Sequence, residues 1–229
     1  MTSACKGDIM SCVSEQRLLK GGCAMPKDKA QMHGNIISAA KKEFLEQGFE
    51  NASMRRIASE VGLTVGALYR HFASKEEMFS ALVEPTIESL MSKYKEFCEQ
   101  GYEVMKAGDV NRLWNESESE TKWLMSFIYD NFDAFRLIVC CSQGTRYESF
   151  VHDMALLEER TTLDYFKRMK KYGMSVKVPS KQEFHMLVTA NVSALFEAVI
   201  HGFSRKQAMH YAKTLDEFFS AGWKKILGI

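Results

Sequence analysis

The stretch Ser53-Met-Arg-Arg-Ile-Ala-Ser-Glu-Val-Gly-Leu-Thr-Val-Gly-Ala-Leu-Tyr-Arg-His-Phe-Ala-Ser-Lys75 decides the fold. Ser53 offers a side-chain oxygen to cap a short helix whose buried side is Ile57, Ala58 and Val61, and Gly62 permits the sharp turn that follows. A second short helix begins near Thr64 and buries Leu68 and Phe72 at i and i+4. That spacing turns Thr64, Val65, Ala67, Arg70 and His71 toward other faces, in a form suited to entering a groove. Ser74 with Glu77 three residues on reads as a capping box that opens the next helix through Met78, Phe79 and Leu82. Working back toward the N-terminus, Ile37, Ala40 and Phe44 form the stripe of a preceding helix, and Gly48 followed by Phe49 supplies its left-handed stop. Pro85 removes a backbone donor and crowds the carbonyl of Ala81, so the helix opened by Ser74 is expected to kink or end there, as a hinge into the rest of the chain.

Around this centre the composition is that of an ordinary soluble chain. In 229 residues, Lys and Arg number 30 and Asp and Glu 29. Only 3 Pro and 14 Gly leave few turn breakers, which favours an all-α fold over a sheet protein. No apolar run approaches the roughly 20 residues that span a bilayer, so no membrane is expected among its partners. Six cysteines, Cys5, Cys12, Cys23, Cys98, Cys140 and Cys141, show no Cys-x-x-Cys pair and no zinc-ligand spacing, so neither metal nor cofactor is expected. Scattered thiols fit a reducing cytoplasm. The vicinal pair Cys140 and Cys141 suggests a redox sensor, but successive helical side chains diverge. A net charge of +1 does not itself point to nucleic acid. Within residues 53–75, however, Arg55, Arg56, Arg70 and Lys75 face only Glu60 among acids, a local excess of three.

The 53–75 stretch closely resembles the DNA-binding signature of the TetR family of regulators, with the Ile57-Ala58 pair, Gly62, the Leu68-Tyr69 pair, His71-Phe72 and Lys75 at the expected spacings, extended upstream by Phe44 and Gly48. The resemblance covers about residues 30–82 and implies a helix-turn-helix head. By resemblance, Ser53, Tyr69, Lys75 and Arg70 would hold DNA phosphates, while Arg55, Thr64, Val65, Ala67 and His71 would approach base edges. Val65 and Ala67 depart from the polar residues some relatives place there and would read thymine methyl groups or little at all.

Three segments are expected: an N-terminal extension over 1–24, the DNA-binding head over 25–84, and a helical effector-binding and dimerisation body over 85–229. In the body, Asn115 to Glu120 reads as an exposed acidic loop, and Asn131 marks a break before Phe135 to Cys141. A long helix is expected from about Tyr147 to Tyr172. Trp123, Phe127, Phe135, Phe150, Met154 and Phe166 make an aromatic-rich middle offered as a pocket for an unknown small-molecule effector, with Arg136, Arg146, His152 and His185 as polar handles. The last two helices carry stripes at Val188, Asn191, Leu195 and Val199, then Leu215 and Phe218. Since the final helix pair of TetR-like proteins forms a four-helix dimer interface, these residues are assigned to a homodimer contact.

The expected function is that of a homodimeric, ligand-responsive repressor binding a palindromic double-stranded operator. Its rivals are a helical enzyme with a substrate in the body, and a DNA-binding factor without a ligand response. No P-loop, Gly-x-Ser-x-Gly or His-Glu-x-x-His motif supports catalysis. An enclosed pocket favours the sensor and a filled core the factor without one.

Overall fold

The computed structural model of the chain describes residues 27–106, 110–174 and 176–228, and of residues 27, 28 and 110–119 the backbone alone. The extension expected over 1–24 lies outside the described residues. Those described fold as helices with no strand among them: α1 Lys27–Asn51, α2 Met54–Glu60, α3 Val65–Leu68, α4 Lys75–Lys106, α5 Val110–Asp130, α6 Phe132–Cys140, α7 Phe150–Lys171, α8 Lys181–Ile200 and α9 Arg205–Leu227.

Local chemistry sets most boundaries. The stop at Gly48 is a true break, with φ 73 and ψ 164 inside the nominal span of α1, a region open essentially to glycine alone. The chain leaves this break with Phe49 N–H donating to Cys141 O at 2.8 Å, which ties the end of α1 to the end of α6. Asn131 separates α5 from α6 as expected. Ser180 and Ser204 open α8 and α9 with reciprocal capping boxes to Glu183 and Gln207.

Two expectations fail. Residues 115–120 are not a loop: α5 runs from Val110 to Asp130, and glutamate, which recurs through this run, is a good helix former. Nor does Pro85 end its helix. α4 continues unbroken from Lys75 to Lys106 through it. Pro85 and Ala81 are both exposed, so water can satisfy the carbonyl that proline leaves without a donor, which limits the penalty. The boundary expected between residues 84 and 85 therefore falls inside one continuous helix.

Buried side chains of α1 (Ile36, Phe44), α2 (Ile57), α3 (Leu68) and α4 (Met78, Phe79, Val83) run without interruption into those of α6, α7 and α8 (Phe135, Phe150, Phe196) as one core. α8 is long and apolar enough to cross a membrane, yet its Phe184, Val188, Val192 and Phe196 are buried in this core. α9 lies mainly along α5. There Ala208 and Ala212 let it approach Met125, and Arg205 grips Asp130 at 2.6 Å and Ser126 at 2.8 Å. The Tyr129 hydroxyl donates to Phe203 O at 2.8 Å beyond the end of α8.

Gly48 and Gly34 should respond oppositely to the same change. A Cβ at either meets no atom within 4 Å, so only the backbone decides. Gly48→Ala should destabilise the chain by about 1–3 kcal/mol, and Gly34→Ala, within helical α1, should stabilise it by about 0.5–1 kcal/mol. Urea denaturation of both variants checks the pair, and equal effects would remove the argument from φ.

Candidate nucleic-acid interface

The head is a two-helix unit braced on α1 and α4. Ser53 caps α2, its side chain accepting from Arg56 N–H at 3.4 Å, and Val61 closes that helix. Gly62 turns the chain at φ 69, and Leu63 N–H returns to Ala58 O at 2.8 Å. Thr64 then caps α3, accepting Ala67 N–H at 3.2 Å. Regular α-helix ends at Leu68, but turn bonds carry the chain on, with His71 N–H reaching Leu68 O at 2.9 Å and Phe72 N–H the same oxygen at 3.2 Å. At the start of α4, Glu77 N–H donates to Ser74 Oγ at 2.9 Å, while the Glu77 carboxylate accepts from Ala73 N–H rather than from Ser74 itself. The expected capping box is thus formed in one direction and shifted by a residue in the other. Ile57 and Leu68 are fully buried and Phe72 nearly so, stacked on His33 with ring centroids 4.6 Å apart.

The residues assigned to DNA divide into two groups. Arg55, Tyr69 and Arg70 are exposed, Tyr69 at 44%, and neither Arg55 nor Arg70 forms an ion pair among the described residues. Thr64 is exposed, with its oxygen committed to the cap. Ala67 and His71 are half-buried on the same segment, and Val65 packs partly against the core. Ser53 is half-buried and its N–H donates to Glu43. Lys75 is turned inward: its ammonium donates to Glu50 O at 3.0 Å and lies 4.8 Å over the Phe49 ring, and burial lowers its pKa. One of its three donors is therefore used to close the end of α1. Arg56 is held by Glu43 at 3.1 Å and Glu46 at 3.6 Å. Of the four local cations in the 53–75 stretch, two are paired within the head and two are free to meet an anion. Sequence reading missed the part played by Glu43. The signal was there, since Glu43 stands seven residues after Ile36 on the buried side of α1.

The body differs more from expectation. Phe135, Phe150, Met154 and Phe166 are buried, and Trp123 and Phe127 are half-buried. They pack on one another and on α8: Trp123 stacks on Phe127 at 5.0 Å, Phe127 meets Phe135 at 5.9 Å, Phe150 meets Phe196 at 5.8 Å and Phe166 meets Phe184 at 5.6 Å. The aromatic residues proposed for the pocket are thus in ring contact with one another or with α8. Two grooves lie elsewhere. One of about 660 Å³ runs beside Pro179, Met186, Leu187 and Ile226, and another of about 440 Å³ beside Leu156, Glu159 and His185. Among the polar handles, His185 pairs with Glu159 at 2.8 Å. Arg146 binds Glu84, and the Tyr147 hydroxyl at 2.7 Å. Cys140 is exposed and Cys141 buried, and desolvation, only partial at Cys140, raises both thiols above their ordinary value.

The residues assigned to a dimer contact divide by burial. Val188, Val199 and Leu215 are buried within the protomer, so their surface is already used by the core of the same chain. Asn191 and Leu195 are half-buried, and Phe218 is 71% exposed. The apolar groups that α8 and α9 present outward are Met186, Ile200, Phe218 and Ile226. A stripe spaced by three or four gives the periodicity of a face but not which of two faces is turned inward.

Residues 36–82 match the model of the bacterial regulatory proteins of the tetR family. An HTH-type transcriptional regulator from Staphylococcus aureus (strain bovine RF122 / ET3-1) is 36% identical over 85 residues, which are 36% of this chain and 46% of the relative. The match thus spans less than half the length of such relatives. Among solved structures, the TetR family transcriptional regulator PfmR from Thermus thermophilus superposes with a TM-score of 0.52 at 20% identity, covering 81% of this chain and 97% of that one. NalD from Pseudomonas aeruginosa, described as the secondary repressor of the MexAB-OprM multidrug efflux pump, gives a TM-score of 0.53 at 19% identity, covering 87% and 98%. At such identity these likenesses speak for the fold. The helix-turn-helix head over residues 36–82 thus matches the tetR family of bacterial regulatory proteins, and the helical body shares the fold of these solved regulators.

Proposed function

We propose that the chain is a DNA-binding transcriptional repressor that acts in the cytoplasm as a homodimer on a palindromic operator. The observation that carries this reading is the α2–turn–α3 unit, whose core side is sealed by Ile57, Leu68 and Phe72 while Arg55, Tyr69 and Arg70 stand exposed. Free guanidinium groups and a phenol on a rigid short helix have the chemistry to hold phosphates and reach base edges. The roles follow the family: Tyr69 and Arg70 on phosphates with Ser53 beside them, Arg55, Ala67 and His71 on bases, and Lys75 adding a contact through the donors left to it. Two heads on one two-fold axis read half-sites about 34–36 Å apart or a multiple of that distance. We place the axis on the outward side of α8 and α9, where Phe218 and Met186 are exposed apolar side chains that a second copy would cover.

The filled aromatic body favours a second reading of regulation, in which the protein binds DNA without a small-molecule response. An effector entering between Trp123, Phe127 and Phe135 would have to separate rings already in contact.

Selection of duplexes from a random library by the full chain tests the reading: a palindromic motif is expected, and recovery of no enriched sequence would overturn it. With the selected duplex, Arg70→Ala should weaken binding across sequences and lower the salt slope by about one. Arg55→Ala should relax one position per half-site at about 1–3 kcal/mol. Phe218→Glu should convert a dimer into a monomer in sedimentation and reduce affinity for the palindrome, whereas an unchanged dimer would place the axis on another face.

A further inference from the structure

We infer that Glu43 is a positioning residue for DNA recognition, holding α2 by its first turn and drawing Arg56 back onto α1, so that Arg55 is the arginine of the pair left facing outward. The inference rests on the DNA-binding reading above and concerns Glu43 and Arg56, which lie outside the assigned DNA contacts. Glu43 has a side chain only 4% exposed, and a buried carboxylate persists only where hydrogen-bond donors and opposite charge compensate it. Its two oxygens do different work. Oε1 accepts the Ser53 N–H at 2.8 Å, and Oε2 lies 3.1 Å from Arg56 Nε. Glu46, one turn further along α1, adds a contact to Arg56 Nη2 at 3.6 Å.

The far end of α2 is held from the neighbouring position, where the Lys42 ammonium donates to the Glu60 carboxylate at 3.0 Å. Two adjacent residues of α1 therefore grip α2 at both ends. This matters because α2 is seven residues long and buries only Ile57 and Ala58. Two apolar anchors near the middle of so short a rod fix its distance from the core but resist tilting poorly, and the polar contacts at the ends supply the resistance. α2 passes into α3 through the single turn at Gly62, so a tilt of α2 displaces Tyr69 and Arg70 at the other end of the unit. Glu43 also keeps a guanidinium away from the duplex. Arg56 is 56% exposed, and without the carboxylate its side chain is free to seek a phosphate.

The test uses the full chain and the duplex that the parent itself selects, with specific affinity, salt slope and sequence motif measured for Glu43→Gln and Glu43→Ala. Glutamine keeps an acceptor for Ser53 N–H and loses the charge that holds Arg56. It should retain the parent motif while the salt slope steepens by about one phosphate contact. Alanine removes both contacts and should lose tenfold or more in specific affinity, with non-specific binding reduced less. Failure of the parent to select any duplex would strike the DNA-binding reading itself. A parent that binds, with a glutamine variant of unchanged slope, would overturn the withholding of Arg56, and an alanine variant with parental affinity would overturn the positioning role. Should the alanine variant be unfolded by circular dichroism, the glutamine salt slope decides alone, and Glu43→Gln combined with Arg56→Ala must return that slope to the parental value.

Discussion

Phe79 is the contact on which head and body both depend. It is fully buried in the first turns of α4 and meets Phe44 of α1 at 5.2 Å, Phe49 beyond the Gly48 break at 5.5 Å, and Tyr147 ahead of α7 at 5.9 Å. Ring pairs of this kind add about 0.5–1.5 kcal/mol each beyond burial. Here they also fix geometry, because two segments distant in sequence, one holding Phe44 and Phe49 and the other Tyr147, converge on one side chain. The helix-turn-helix is thereby bonded to the body through a shared core, and α4 belongs to both.

Around this contact lies a polar layer. The Tyr147 hydroxyl reaches Ser80 Oγ at 2.9 Å and Glu84 at 3.1 Å, Arg146 joins the same carboxylate, and burial pushes the Tyr147 phenol up to about 12. The phenol therefore remains a neutral donor at any physiological pH. Together with Phe49 N–H on Cys141 O and the Lys41–Asp133 pair at 2.8 Å, these bonds join the α6–α7 connection and α6 to the head. Displacement of α6 or α7 would be transmitted to α1 and α4 by direct contact, with no flexible linker at Pro85 to absorb it. The same rigidity bears on regulation. In the middle of the body Trp123, Phe127 and Phe135 already touch, so a ligand entering between them must separate packed side chains.

The electrostatics of the head show why counting charges misleads. Four cations against one acid in the 53–75 stretch read as a phosphate-facing patch, yet Arg56 and Lys75 are bound to groups of α1. The acids that hold Arg56, Glu43 and Glu46, lie outside that window in sequence and beside it in space. Among the described residues of this stretch, Arg55 and Arg70 alone are left as exposed cations without an ion pair, so placement says more than total charge.

The sequence by itself determined the helical class, the head and most of its boundaries, because these depend on near neighbours: Gly48 and Gly62 with positive φ, the caps Ser53, Thr64, Ser180 and Ser204, and the apolar spacing of Ile57, Leu68 and Phe72. It also carried the family resemblance, which is confined to that local pattern. Only the tertiary structure decided which stripe of α8 and α9 faces inward, so that Val188, Val199 and Leu215 are core while Phe218 is surface. It alone decided that the rings of the body meet one another and α8, that α4 runs through Pro85 on its solvent side, and that Glu43 pairs with Ser53 and Arg56 ten and thirteen residues away. The physical reason is common to all four: periodicity and capping are written in residues one to four apart, whereas burial and ion pairing depend on which distant surface arrives opposite.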